Sequence, residues 1–83
     1  MNPAQESTFE VLRRLLQPFN TAGIDIKPET DISADLNIDS VTVMDFVMEV
    51  EDHFDIDIPL NVLAETRTMA ELVQAVESRI KKA

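Results

Sequence analysis

Asp39 and Ser40 stand side by side in the run D-L-N-I-D-S-V, Asp35 to Val41, at the head of a long stretch rich in acids and apolar residues. Taken alone, either residue is a good helix N-cap, and an isolated serine before a helix is most often only that. Around them nothing resembles a catalytic apparatus. The chain has one histidine and no cysteine, and it lacks both a nucleophile elbow and a glycine-rich phosphate loop. His53, near the end of the same stretch, fits a favourable charge at a helix C-terminus. Asp52, Asp55 and Asp57 invite a calcium loop, which needs glycine at its sixth position and glutamate at its twelfth. Counted from Asp55 those positions are Leu60 and Thr66, so the match fails, and no specific metal site is expected.

Four segments carry helix signals that would position these residues. The first opens at Ser7, where S-x-x-E to Glu10 has the form of a capping box, and its apolar residues Phe9, Leu12, Leu15, Leu16 and Phe19 recur at helical spacing. Pro18 would stop a longer helix, so the spacing predicts a helix over about 7–19. Residues 21–38 form a long loop with apolar pegs at Ile24, Ile26, Ile32, Leu36 and Ile38, which suggests that it packs onto the core. A second helix is predicted over about 39–54, a short third over about 60–65 after Pro59, and a fourth over about 68–81. Thr68 and Glu71 repeat the capping-box form, and Arg79, Lys81 and Lys82 complement the last helix dipole. Ile56-Asp57-Ile58 is too short to count as a strand, so the expected fold is an all-α four-helix bundle with a long first loop, three longer helices and one short one.

At 83 residues the chain fits a single domain, 1–83, with a thin core. Its net charge of −9 disfavours nucleic acid and anionic lipid surfaces through simple repulsion. The charge is also unevenly placed. From Pro28 to Thr66 there is no Lys or Arg, while eleven of the sixteen acids lie in that interval. Such a face is either a solubilising surface or a docking surface that steers basic partners. No segment is apolar enough to span a membrane, and the start of the chain is acidic and polar, unlike a signal peptide, so a cytoplasmic monomer without membrane insertion is expected.

The second helix has two apolar surfaces. At about 100° per residue, Val43, Val47, Val50 and Phe54 form a narrow core stripe with Phe46 at its edge, and Asp45, Glu49 and Asp52 face the opposite way. Val41, Met44 and Met48 fall on the flank between, near Glu51 and Asp55. This strip either packs on a neighbouring helix or forms an interface, and methionine suits surfaces that accept several partners.

The run from Asp35 to Val41 and its continuation V-T-V-M-D-F-V-M-E-V-E-D-H-F-D-I-D-I-P to Pro59 resembles the acyl carrier protein pattern: a D-S-[LV/IM] site opening an acidic helix, then E-x-x-F-x-[IV]-x-[IV]-P. The resemblance implies a non-catalytic carrier whose Ser40 bears a covalent 4′-phosphopantetheine arm derived from coenzyme A. A helix N-terminus suits the arm's phosphate, and Asp39 matches the acid beside the attachment serine. It further implies partner contacts through Val41, Met44 and Met48 with acids Asp45, Glu49, Glu51 and Asp52. The acyl chain would slip into a core cavity lined by Phe46, Val47, Val50, Leu63 and Val73. The implied partners are a phosphopantetheinyl transferase and acyl-processing enzymes with basic docking patches.

The sequence departs from the family in places. Asn37 stands two residues before Asp39, where the family commonly has glycine, and Val41 replaces the usual leucine. With the bulky Phe46 and with His53, these departures make a dedicated carrier for a specialised lipid, a polyketide or another acyl-transfer pathway an alternative to the housekeeping carrier of fatty-acid synthesis. A D-alanyl or peptidyl carrier is the next reading, against which Asp39 and the acid-rich helix argue. An acidic divalent-cation-binding structural protein is the last.

Overall fold

The computed structural model describes residues 2–80. In these the chain is all-helical: α1 (Pro3–Leu16), α2 (Ser40–Phe54), α3 (Leu60–Glu65) and α4 (Met69–Arg79), with a 3-10 turn at Gln17–Phe19. Among the described residues there is no strand, only an isolated antiparallel bridge between Asp31 and Thr68.

α1 begins earlier than the Ser7 signal suggests. Its N-cap is Asn2, whose side chain accepts from the Gln5 amide at 2.8 Å while Gln5 returns a bond to the Asn2 amide at 3.1 Å. Pro3 occupies the first helical position, where its missing N–H costs nothing. This reciprocal cap nucleates the helix before Ser7, which is left as an exposed residue inside it. The α-helical bonding ends at Leu16, and the chain tightens into the 3-10 turn through Pro18.

The helices pack because each buries one face. α1 supplies Leu12 and Leu16, α2 supplies Phe46, Val47 and Val50, and α4 supplies Met69, Leu72, Val73 and Val76. α1 packs on both α2 and α4. It is tied to α4 by a part-buried polar link in which the Thr8 hydroxyl donates to the Glu77 carboxylate. Phe46, at the edge of the α2 core stripe, is fully buried, while Val43 and Phe54 on the same stripe are half-buried. The reason is its partner: Phe19, carried by the 3-10 turn, meets the Phe46 ring edge-to-face with centroids 6.1 Å apart.

The long first loop is part of the core. Ile26, Ile32 and Leu36 are buried, and Ile24 and Ile38 pack against the core. Its middle is fastened to the α3–α4 junction by three backbone bonds: Ile32 N to Arg67 O (2.9 Å), Met69 N to Thr30 O (3.0 Å) and Ala70 N to Pro28 O (2.8 Å). Thr68 and Glu71 form a capping box at the start of α4. The expected end of the last helix near residue 81, with Lys81 and Lys82, lies outside the described residues; α4 ends at Arg79.

Candidate functional site

The approach to Ser40 is built by short-range bonds. Asp31 turns the chain back on itself, its carboxylate accepting from the Ser33 and Ala34 amides at 3.1 and 2.8 Å. Leu36 then enters the core, and Asn37 adopts the left-handed conformation (φ 56°) that asparagine tolerates best after glycine. That turn is closed by the Ile38 amide donating to the Ser33 carbonyl at 3.1 Å. Asp39 follows in extended conformation as the N-cap of α2, and its carboxylate accepts from the Thr42 amide at 2.9 Å. This bond holds the Asp39 carboxyl below the usual carboxylate range.

Ser40 is the first residue of α2 and is exposed. Among the described residues no hydrogen bond engages its hydroxyl, because Asp39 already supplies the cap. Ser40 therefore presents a free primary alcohol at the positive end of the longest helix, where the Thr42 amide is taken by Asp39 and the Ser40 and Val41 amides are left for an anion. That donor set fits a phosphodiester on Ser40.

Beside Ser40 the surface opens into a cleft in two adjoining parts. The outer part, about 300 Å³, is bordered by Ser33, Ser40, Val43, Met44, Leu60, Leu63, Ala64 and Thr66. The inner part, about 230 Å³, shares Ser33, Val43, Leu63 and Thr66 with it and reaches Ile32, Phe46, Val47 and Leu72, with Asp31 and Arg67 on its outward rim. Of the side chains expected to line a cavity, Phe46, Val47 and Leu63 do so. Val50 and Val73 are buried in the core and border neither part, since Val50 lies a turn beyond Phe46 on the side away from Ser40.

The strip expected on the flank of α2 is open to solvent. Val41 is 67% exposed, Met44 45% and Met48 64%. Asp45, Glu49 and Asp52 are exposed beside them. Glu51 is different: it is half-buried, and its carboxylate accepts from the Ile58 amide at 2.7 Å, bracing the turn after α2. Sequence reasoning missed Leu60, 68% exposed at the start of α3, which extends the apolar strip across the mouth of the cleft. Its signal was an apolar residue directly after Pro59, at the head of a short helix whose core contacts are made by Val62 and Leu63. Ser33 and Thr66, the polar rim shared by both parts of the cleft, were also missed, because no local pattern brings the first loop to the end of α3.

Among the described residues no three His, Asp or Glu side chains converge as a metal-binding group, and no helix is long and apolar enough to cross a membrane.

Residues 10–76 match the family model described as the phosphopantetheine attachment site. The chain is similar to a probable acyl carrier protein of Caulobacter vibrioides, 43% identical over 49 residues, which is 59% of this chain and 57% of that protein. It is 31% identical over 72 residues to an acyl carrier protein of Helicobacter hepaticus, covering 86% of this chain and 95% of that protein. An acyl carrier protein of Picosynechococcus is 35% identical over 54 residues, 65% of this chain and 67% of that one.

Proposed function

Because the chain belongs to the acyl carrier protein family, whose members hold a covalent 4′-phosphopantetheine, we propose that it carries acyl groups on such an arm joined to Ser40. When bound, the arm supplies a terminal thiol that holds the cargo as a thioester. Ser40 Oγ attacks the phosphorus that joins pantetheine to the pyrophosphate of coenzyme A, the pyrophosphate bond breaks and adenosine 3′,5′-bisphosphate leaves. The serine proton passes to a base of the modifying transferase, since among the described residues no base is bonded to it. The observation that carries the reading is an exposed, unengaged hydroxyl on the first turn of α2, opening directly onto an apolar cleft of about 300 Å³.

The chain's own residues then have separate tasks. Asp39 caps α2 and fixes the turn that presents Ser40. Met44, Leu60 and Leu63 give the arm's distal end an apolar surface, and the inner cleft takes the first part of an acyl chain out of water. Val41, Met44 and Met48, flanked by Asp45, Glu49 and Asp52, form the face on which a phosphopantetheinyl transferase and acyl-processing enzymes dock through basic patches. In this reading the protein is a non-catalytic cytoplasmic carrier in fatty-acid synthesis or in a dedicated lipid or polyketide pathway.

The test is intact mass after incubation with coenzyme A, Mg²⁺ and a broad-specificity phosphopantetheinyl transferase, with Ser40→Ala alongside. One phosphopantetheine gained by the wild type and none by the variant is expected. Equal gain by both would move the attachment point, and no gain with the cognate transferase would overturn the carrier reading.

A further inference from the structure

We propose that Phe46, backed by Phe19, is the floor of the acyl cleft and limits the cargo this protein can bury to acyl chains of about eight carbons or fewer, since the inner part holds about 230 Å³ and a methylene occupies roughly the ~30 Å³ that a water molecule takes in the liquid. The inference rests on the carrier reading above and adds the length of cargo that it fits.

A chain entering past Ser40 and Leu63 first fills the outer part of the cleft, which the end of the arm also needs. It then reaches the inner part, about 230 Å³, whose deep end is closed by Phe46, Val47 and Leu72. Phe46 is fully buried, and its ring is held edge-to-face against Phe19 at 6.1 Å and 66°. Phe19 is itself set by the 3-10 turn through Pro18. Swinging the Phe46 ring aside would give up its burial and that aromatic contact together. The other way onward is outward, between Asp31 and Arg67, whose charged groups stand 4.0 Å apart on the rim. An apolar chain gains nothing by passing between two charges that water solvates better. Both continuations are therefore unfavourable, one sterically and one by polarity. Val50, one turn beyond Phe46, is fully buried and borders neither part of the cleft.

The test loads the wild type, Phe46→Leu and Phe19→Leu with acyl-phosphopantetheine from coenzyme A thioesters of four to sixteen carbons, checks each by intact mass, and measures Tm. In the wild type Tm should rise with chain length to about eight carbons and then level, as further methylenes stay in water. In Phe46→Leu the rise should continue for about one more carbon, because exchanging the ring for leucine frees roughly one methylene-sized volume at the floor. Phe19→Leu should shift the break in the same direction, and it serves if Phe46→Leu does not fold. A wild-type Tm that climbs steadily to sixteen carbons, or a break at the same length in every variant, overturns the role of Phe46. A flat profile with loading intact overturns burial of the cargo and this proposal with it, while failure to load at all is the distinct signature of a failed carrier reading.

Discussion

Between Leu36 and Val41 successive side chains do opposite jobs. Leu36 is buried, Asn37 turns the backbone, Asp39 is committed to the Thr42 amide, and Ser40 is left free. This much is legible in the sequence because each job is local: a cap, a turn, an apolar peg. Glu51 was not legible in the same way. The helical wheel sets it beside the exposed strip, yet its carboxylate is engaged by the Ile58 amide, seven residues on, through a bend the wheel does not describe. Asp45 and Asp52 keep their expected exposure, and no cation lies within ion-pair distance of either among the described residues. Reversing either to lysine should slow phosphopantetheinylation on the order of threefold to tenfold at low salt, by weakening electrostatic steering. The deficit should shrink as salt rises, and the unfolding free energy should move by no more than about 0.5 kcal/mol. Transferase progress curves that superimpose on the wild type would remove α2 from docking.

At the scale of elements, the helices were readable from apolar periodicity, but the start of α1 was not. Two capping signals compete there, N-P-A-Q and S-T-F-E, and the first turn of the helix buries nothing that would let periodicity choose between them. The structure favours the earlier one, in which Asn2 and Gln5 satisfy each other and proline sits where a helix accepts it. The caps of α2 and α4 carry a pH dependence. Asp39, bonded to the Thr42 amide, and Glu71, bonded to the Arg67 and Thr68 amides, both have carboxyls held below their ordinary range. A carboxyl lowered in the folded state adds stability that is complete above its unfolded value, about 4, and is lost as pH falls through the folded value. Asparagine caps almost as well without the charge. The Tm difference between wild type and Asp39→Asn should therefore favour the wild type at neutral pH and narrow as pH falls below the ordinary aspartate value of about 3.9. A pH-independent difference would deny the carboxylate its part in the cap.

The whole molecule measures 38 × 26 × 20 Å and carries a net charge of −9. Its long dimension exceeds the Debye length of about 10 Å at 0.1 M salt several times over, so the acids of its two ends scarcely sense each other, while neighbours along α2 do. That crowding destabilises the folded chain. Tm should rise with sodium chloride and, at equal ionic strength, rise further with millimolar Mg²⁺, as scanning calorimetry would record. A Tm indifferent to both would mean that the acids are already spaced widely enough to be harmless. The bulk charge and its concentration between Pro28 and Thr66 were plain in the sequence, and so was the helical class. The cleft was not. Its walls come from the first loop, α2 and the α3–α4 junction, and no local pattern states that Ile32 will lie against Arg67. The family resemblance implied Phe46, Val47 and Leu63 as its lining, but it equally implied Val50 and Val73, because likeness to a family does not separate a side chain that borders a space from one packed behind it.

α3 hangs between two pins. On one side the Ile58 amide is tied to Glu51, and on the other the Arg67 carbonyl is tied to the Ile32 amide. Between them the helix is bonded mainly to itself, with Leu63 N to Pro59 O, Thr66 N to Leu63 O and the Thr66 hydroxyl to Val62 O, and none of its residues is fully buried. Among the helices that wall the cleft, α3 is thus the one held by its two ends, while α1, α2 and α4 supply the fully buried core.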